Sequence, residues 1–294
     1  MNGARRIGLF AIANHTLFIV LCALFLVPVW SLIAISVSHE PDITNEGYRL
    51  LPAHLDFSAY RHLFAKPNVI LGAYRVTVFS SVLGTLLSVA IVSMCAYALS
   101  RRDFRYRGFL TFLLFFTMLF HGGLVPTYIL MTNYLHLQNT YAALIIPLMG
   151  SVWFLLIMRT FLQQLPMELI EAATIDGAGE WTIYARIIVP LSAPVLATIG
   201  LLQLLQYWNS WFPALLYIND DKLYPLQYLL QVMLRNMAEV LRNMEMGVSA
   251  DQLAPLPSES IRMAMSVIVI GPILFVFPFF QKYFTKGMTV GAIK

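Results

Sequence analysis

Glu168, Glu171 and Asp176 stand in the segment ELIEAATIDGAGEWTIYARIIVPLSAPVL, residues 168–196, which carries most of the charge found between Arg107 and Lys222. Acids three residues apart share one side of a helix. Glu168 and Glu171 fall in its first turns, where the helix dipole favours anions. Pro166 suits a first helical position, because its missing N–H costs nothing there. On a wheel of 3.6 residues per turn, Leu169, Ile170 and Ala173 lie opposite the two glutamates. Ala172 and Ala173 are small enough to let another surface approach closely, and Gly177 supplies the permissive backbone that ends a short helix. Trp181, Tyr184 and Arg186 suit a helix at a membrane interface, followed by Pro190 and Pro194. Two readings remain: an amphipathic helix lying on a bilayer, or a docking piece for a basic groove on a protein partner. Membrane-surface helices are usually basic, because the cytoplasmic leaflet is negative. The acidity of this one favours docking.

A second set of polar residues lies in LLQLLQYWNSWFPALL. Gln203, Gln206, Tyr207 and Ser210 follow the i, i+3, i+4, i+7 pattern of one helical stripe, with Trp211 on its border and Trp208 and Phe212 further round. Two amides, a phenol and a hydroxyl are costly against lipid, so the stripe is expected to face the bundle interior or a watery path. Amides bond sugar hydroxyls and aromatic rings stack on pyranose faces, so a solute path is one reading. Interhelical hydrogen bonding with an aromatic belt is the other.

Other chemistry lacks its residues. There is no G-x-x-x-x-G-K-[ST] phosphate loop, so the chain is expected to bind no ATP in the usual way. No H-E-x-x-H pattern or close His/carboxylate cluster suggests a metal. His121 and His136 sit at span ends and read as interfacial, and Arg75 reads as a snorkelling residue. No paired acids lie deep in a span, as the proton relay of a secondary transporter would require.

These residues must be positioned by a hydrophobic scaffold. Of 294 residues, 59% are hydrophobic and 12% charged, about half the charge of a soluble domain. Apolar runs long enough to cross roughly 30 Å of hydrocarbon recur. The fold class is therefore all-α, a polytopic membrane protein with about six spans near 14–37, 72–100, 109–131, 141–161, 187–218 and 263–280. Pro28, Pro147, Pro194, Pro213 and Pro272 predict kinks. Cys22 and Cys95 read as small buried hydrophobes. The net charge of +4 reads as Lys/Arg facing anionic lipid, with no nucleic acid as a partner. Arg5, Arg6, Arg101, Arg102, Arg105, Arg107, Lys282, Lys286 and Lys294 place both termini and the 101–108 and 162–186 loops in the cytoplasm. Segments 38–71 and 219–262 then face the other side, and residues 1–294 form one transmembrane domain.

EAATIDGAGEWTIYARIIVPLSAP resembles the EAA loop of ABC-importer permeases, whose pattern is E-A-A, three residues, Gly, nine residues, then I-x-L-P. Glu171-Ala172-Ala173, Gly177, Ile187 and Pro190 match it, and Val189 replaces the commoner Leu. AYALSRRDF (96–104), the 123–147 segment, YWNSWFPALLYI (207–218), YPLQYLL (224–230) and the tail FPFFQKYFTKGMTVGAIK are similar to the carbohydrate branch, of the maltose-permease G-subunit type. LLPAHLDFSAYRHLF looks like that branch's outer stretch after the first span. Length and tail look closest to permeases for oligosaccharides, including uronate oligosaccharides. The resemblance implies a type I importer fold in a bacterial inner membrane and a second homologous permease subunit. It also implies two ATPase subunits, which carry ATP and Mg, and an extracytoplasmic solute-binding protein that delivers the sugar. It makes Glu168, Glu171, Ala172, Ala173, Asp176 and Gly177 the ATPase-coupling residues. The alternatives are a self-contained channel or secondary transporter, or an importer permease for a non-sugar solute.

Overall fold

The computed structural model of the chain describes residues 9–65, 67–245 and 259–290. Arg5, Arg6, Lys294, the side chains of Lys282 and Lys286, and residues 246–258 of the expected outer loop lie outside what is described. In chain order the helices are α1 (Leu9–Ser36), α2 (Glu40–Glu46), α3 (Ser58–Phe64), α4 (Pro67–Ser100), α5 (Arg107–Leu119) and α6 (Leu124–Ile129). They continue with α7 (Tyr141–Ile145), α8 (Val152–Leu162), α9 (Glu168–Ile175), α10 (Glu180–Ile183), α11 (Val189–Leu191), α12 (Ala193–Trp208), α13 (Phe212–Tyr217), α14 (Leu226–Glu245) and α15 (Glu259–Val290). An isolated antiparallel bridge joins Ser38 to Leu55. The chain divides into two compact units, residues 1–67 with 232–270, and residues 68–231 with 271–294.

Three helices are long and apolar enough to cross a membrane unbroken: Phe10–Ser36, Pro67–Ser100 and Glu259–Val276. The expected third, fourth and fifth spans are each broken. Arg107–Leu119 and Leu124–Tyr134 meet at 110°, Tyr141–Leu148 and Val152–Leu162 at 52°, and Glu180–Leu191 and Ala193–Trp208 at 79°. Pro147 sits in the turn just before the second break, where Gly150 takes φ +85°, and Pro194 opens the helix after the third. The first break holds no proline. It is made by His121-Gly122-Gly123, where Gly123 takes φ +90°, a region that costs only glycine nothing. Hydropathy runs through all three breaks, because Gly and Pro leave an apolar average unchanged.

In the second unit, α4 buries a face of small residues at helical spacing: Thr77, Ser81, Gly84, Ser88 and Ala96. Small side chains let helices approach closely in a membrane. Val92, Ala96, Tyr97 and Leu99 of α4 join Phe154, Leu155, Met158 and Leu162 of α8 and Ile199 of α12 in one core. Cys22 and Cys95 are exposed on their helices, correcting the expectation that they are buried. A span has an outward face as apolar as its inward one, so composition alone does not separate them.

In the first unit, the short elements that follow α1 are tied by polar contacts. The Trp30 indole N–H donates to the Leu50 carbonyl at 2.8 Å, and the Ser36 and Tyr60 hydroxyls lie 2.8 Å apart. His54 meets Asp42 at 2.9 Å, and His39 meets Asp56 at 3.3 Å. The Glu40 carboxylate accepts the backbone N–H groups of Glu259 at 2.8 Å and Ser260 at 3.0 Å, and the Ser260 hydroxyl at 2.7 Å. An anion at a helix start satisfies N–H groups without intrahelical partners and complements the dipole. Glu40→Ala is expected to weaken the first turn of α15 by about 1 kcal/mol. Faster hydrogen exchange at the Glu259–Arg262 amides checks this, and unchanged exchange contradicts it.

Candidate functional site

The 162–186 loop begins where α8 ends. Met167 opens α9 by accepting from the N–H groups of Ile170 and Glu171 at 2.9 and 3.0 Å. Pro166 therefore precedes the helix and does not take its first position. At 100° per residue, Ile170 and Ala173 point to one side, and Ile170 is buried in the core shared by α4 and α8. Glu168, Glu171, Ala172, Ile175 and Asp176 fan across the other side, all exposed. Leu169 is on the flank and 43% exposed; two helical turns bring only residues 170 and 173 down onto the core. Ile175, unremarked in the sequence, is 85% exposed at the centre of the acidic face.

Gly177 takes φ +81°. Its N–H donates to the Thr174 carbonyl at 3.0 Å, and the Ala178 N–H donates to Ala173 at 2.9 Å. That pair of bonds is a Schellman motif, which satisfies the last carbonyls of α9 and turns the chain sharply. Beyond the turn Ile183 is 1% exposed in the same core. Each isoleucine buried here contributes about 1.5–3 kcal/mol, so the loop is seated firmly against the helices behind it.

Polar bonds add to that seat. The Tyr97 hydroxyl of α4 donates to the Glu180 carboxylate at 2.7 Å, and Arg101 reaches the other Glu180 oxygen at 3.2 Å. Arg101 also grips Asp103 with two bonds of 3.0 and 2.9 Å, the fork geometry that suits a guanidinium and a carboxylate. These bonds hold the Asp103 carboxyl below its usual range. The Tyr184 hydroxyl lies 2.7 Å from Ser93 of α4. Tyr184 therefore packs against a helix, while Trp181 remains exposed.

The polar stripe of α12 divides in two. Gln203 is buried and donates to the Leu148 carbonyl at 2.8 Å. Tyr207, also buried, donates to the Ile145 carbonyl at 2.8 Å and lies 3.2 Å from Ser88. Its ring covers Gly84, where a Cβ would fall 2.5 Å from the ring carbon Cζ. The helix ends at Trp208, itself buried, so Ser210 leaves the expected stripe. Gln206, Ser210 and Trp211 instead line a cavity of about 470 Å³ with His121, Asn209 and Tyr217. Sequence reasoning missed the last three residues. The run Trp208-Asn209-Ser210-Trp211-Phe212-Pro213 held a usable signal, since turn residues before a proline mark a helix end. The cavity offers side-chain amides, hydroxyls and aromatic edges to a polar solute.

Residues 85–290 match the family described as "Binding-protein-dependent transport system inner membrane component". The chain belongs to this family. The permease is 37% identical to the polygalacturonan/rhamnogalacturonan transport system permease protein YtcP of Bacillus subtilis, over 95% of this chain and 94% of that one. It is 31% identical to the arabinooligosaccharides transport system permease protein AraQ of Halalkalibacterium halodurans, over 94% and 93% of the two chains. Its fold matches a chain in the crystal structure of a bacterial ABC transporter involved in the import of the acidic polysaccharide alginate. The TM-score is 0.79, with 28% identity, covering 97% of this chain and 99% of the other. The permease is thus an all-α inner-membrane component with an ABC-importer permease fold. Three of its spans are bent; the sequence predicted kinks in the fourth and fifth of the six, at Pro147 and Pro194, and none at His121-Gly122-Gly123 in the third.

The Gly84–Tyr207 contact is testable in the purified permease. Tyr207→Phe keeps the ring and loses the hydroxyl bonds, an expected cost of about 1 kcal/mol. Gly84→Ala drives a methyl into the ring and is expected to cost about 1–3 kcal/mol. Thermal unfolding should rank both below wild type; equal midpoints for all three proteins would deny the contact a structural role.

Proposed function

We propose that this chain is the transmembrane permease subunit of an ABC importer for sugars or oligosaccharides, with acidic uronate oligosaccharides supported by the polygalacturonan/rhamnogalacturonan and alginate systems it resembles. The observation that carries the coupling role is the two-sided character of the 162–186 loop. One side is fused into the core of α4 and α8, and the other shows Glu168, Glu171 and Asp176 around Ala172 and Ile175. A partner gripping the acidic side moves the membrane helices with it. ATPase subunits with a basic, partly apolar cleft are such a partner, and they supply the ATP and Mg chemistry. Two of them, a second homologous permease and an extracytoplasmic binding protein complete the transporter. In this reading both termini and the loop are cytoplasmic, and segments 38–71 and 219–262 face outward. Closure of the ATPase pair swings the helices as rigid bodies between inward- and outward-facing states. The cavity lined by Gln206, Ser210 and Trp211 lies on the solute path, whereas Gln203 and Tyr207 are committed to holding helices together.

Glu171→Lys sets like charge against the cleft, which costs several kcal/mol at an interface. ATPase subunits are expected to be lost on affinity purification and sugar uptake to fall at least about tenfold. Wild-type uptake by this variant would favour a self-contained channel or secondary transporter. Gln206→Ala removes one hydrogen-bonding group from the cavity and is expected to raise the KM for uptake about three- to tenfold, with the complex assembling normally. An unchanged KM would take Gln206 off the solute path.

A further inference from the structure

The helix α13 supplies Phe212, Pro213, Leu216 and Tyr217 to the wall of the cavity that Gln206 and Trp211 also line. Its 6 residues are too few to hold a helix alone, since isolated helices shorter than roughly 12 residues are marginal. Something outside α13 must therefore fix it. Part of the answer is burial, because Ala214, Tyr217 and Ile218 are almost fully enclosed. The rest is Asn139, 80 residues before Asn219. Its backbone N–H donates to the Tyr217 carbonyl at 3.0 Å. Its side-chain Oδ1 accepts the N–H groups of Asn219 at 2.6 Å and Asp220 at 3.1 Å. One residue thus satisfies a carbonyl at the helix end, where intrahelical partners run out, and fixes the direction in which the chain leaves α13.

Asn139 does this from φ +56°, in the left-handed region where asparagine is enriched among residues other than glycine. The loop that carries it is braced at both ends. The Leu137 N–H donates to the carbonyl of buried Met131 at 2.9 Å. The Thr140 hydroxyl donates to the Leu137 carbonyl at 2.6 Å and accepts the Ala143 N–H of α7 at 3.3 Å. Upstream of this loop, α6 gives Leu124 and Thr127 to the same cavity. The ring of Tyr128 on α6 stacks on that of Tyr217 at 5.9 Å. Two walls of the cavity are therefore tied twice, by stacked rings and by the Asn139 clasp, while Asn139 itself lies outside the lining. We propose that Asn139 is a positioning residue for solute recognition: it fixes α13 against α6 and so sets the spacing of the cavity walls without touching the solute. The role in recognition rests on the importer reading; the clasp does not.

Two variants separate the clasp from the backbone that carries it. Asn139→Gly keeps the left-handed turn and the N–H, and removes only the two side-chain bonds. Asn139→Asp restores an acceptor at the same place and tolerates the same backbone. The assembled importer is assayed for uptake of trigalacturonate and of arabinotriose, and the better substrate is used. Asn139→Gly is expected to raise KM about three- to tenfold with the maximal rate unchanged, and Asn139→Asp to bring KM back. Hydrogen exchange at the Asn219 and Asp220 amides should quicken in the glycine variant and recover in the aspartate one. Unchanged exchange in Asn139→Gly overturns the clasp. Faster exchange with an unchanged KM leaves Asn139 a structural bond only and overturns the positioning role. A fall in maximal rate at constant KM overturns it too, as does a KM that stays high in Asn139→Asp once exchange has recovered. A wild-type complex that takes up neither sugar sinks the importer reading and the recognition role with it, while exchange still decides the clasp.

Discussion

Away from water, a backbone carbonyl that loses its helical partner must find another donor. The permease meets this constraint at the break between α7 and α8. Pro147 and Gly150 interrupt the helix there and free carbonyls. Gln203 and Tyr207 of α12 donate to two carbonyls of this stretch, Leu148 and Ile145. The close approach this needs is supplied by α4, whose Gly84 leaves room for the Tyr207 ring and whose Ser88 meets its hydroxyl. Three helical segments are thereby fixed by two side chains. The cavity next to them inherits its shape from that fixation: Leu148, whose carbonyl takes the Gln203 amide, is one of its walls.

The same logic governs the far end of α4. Its apolar face ends in Tyr97 and Leu99, which share a core with Ile170 and Ile183 from the loop. Polar bonds from Tyr97, Arg101 and Ser93 close around Glu180 and Tyr184. The loop is consequently an extension of the helix bundle. Hydrophobic contact supplies the strength of the attachment, and the carboxylate bonds fix its direction.

The existence of the spans was legible because apolar length is a direct requirement of the bilayer, and the turn that ends the acidic helix because its spacing is rigid. Gly177 is a clear case: a left-handed turn after a two-turn helix demands glycine, so the residue type revealed the geometry. Bends were less legible. Pro147 and Pro194 marked two of them, but the turn at His121-Gly122-Gly123 is written in residues that keep the run apolar. The division of the α12 stripe was hidden for a different reason. Helical spacing reports which residues share a face, not which partner carbonyls have been freed opposite that face. Gln203 and Gln206 look alike in sequence, and the break in another helix, 55 residues from Gln203, decides which is structural. Leu169 and the cysteines failed on a related point, since a short helix or a lipid-facing surface leaves apolar residues outside the core.

Glu40 and the first turn of α15 are separated by about 219 residues of chain. At translation rates of about 5–20 residues per second, the carboxylate waits on the order of ten to forty seconds for the helix it caps. Every intermediate span has by then left the ribosome. The contact therefore acts as a clasp on completed synthesis, joining an early segment to the start of α15, and a chain truncated before Glu259 loses the N–H groups that Glu40 caps.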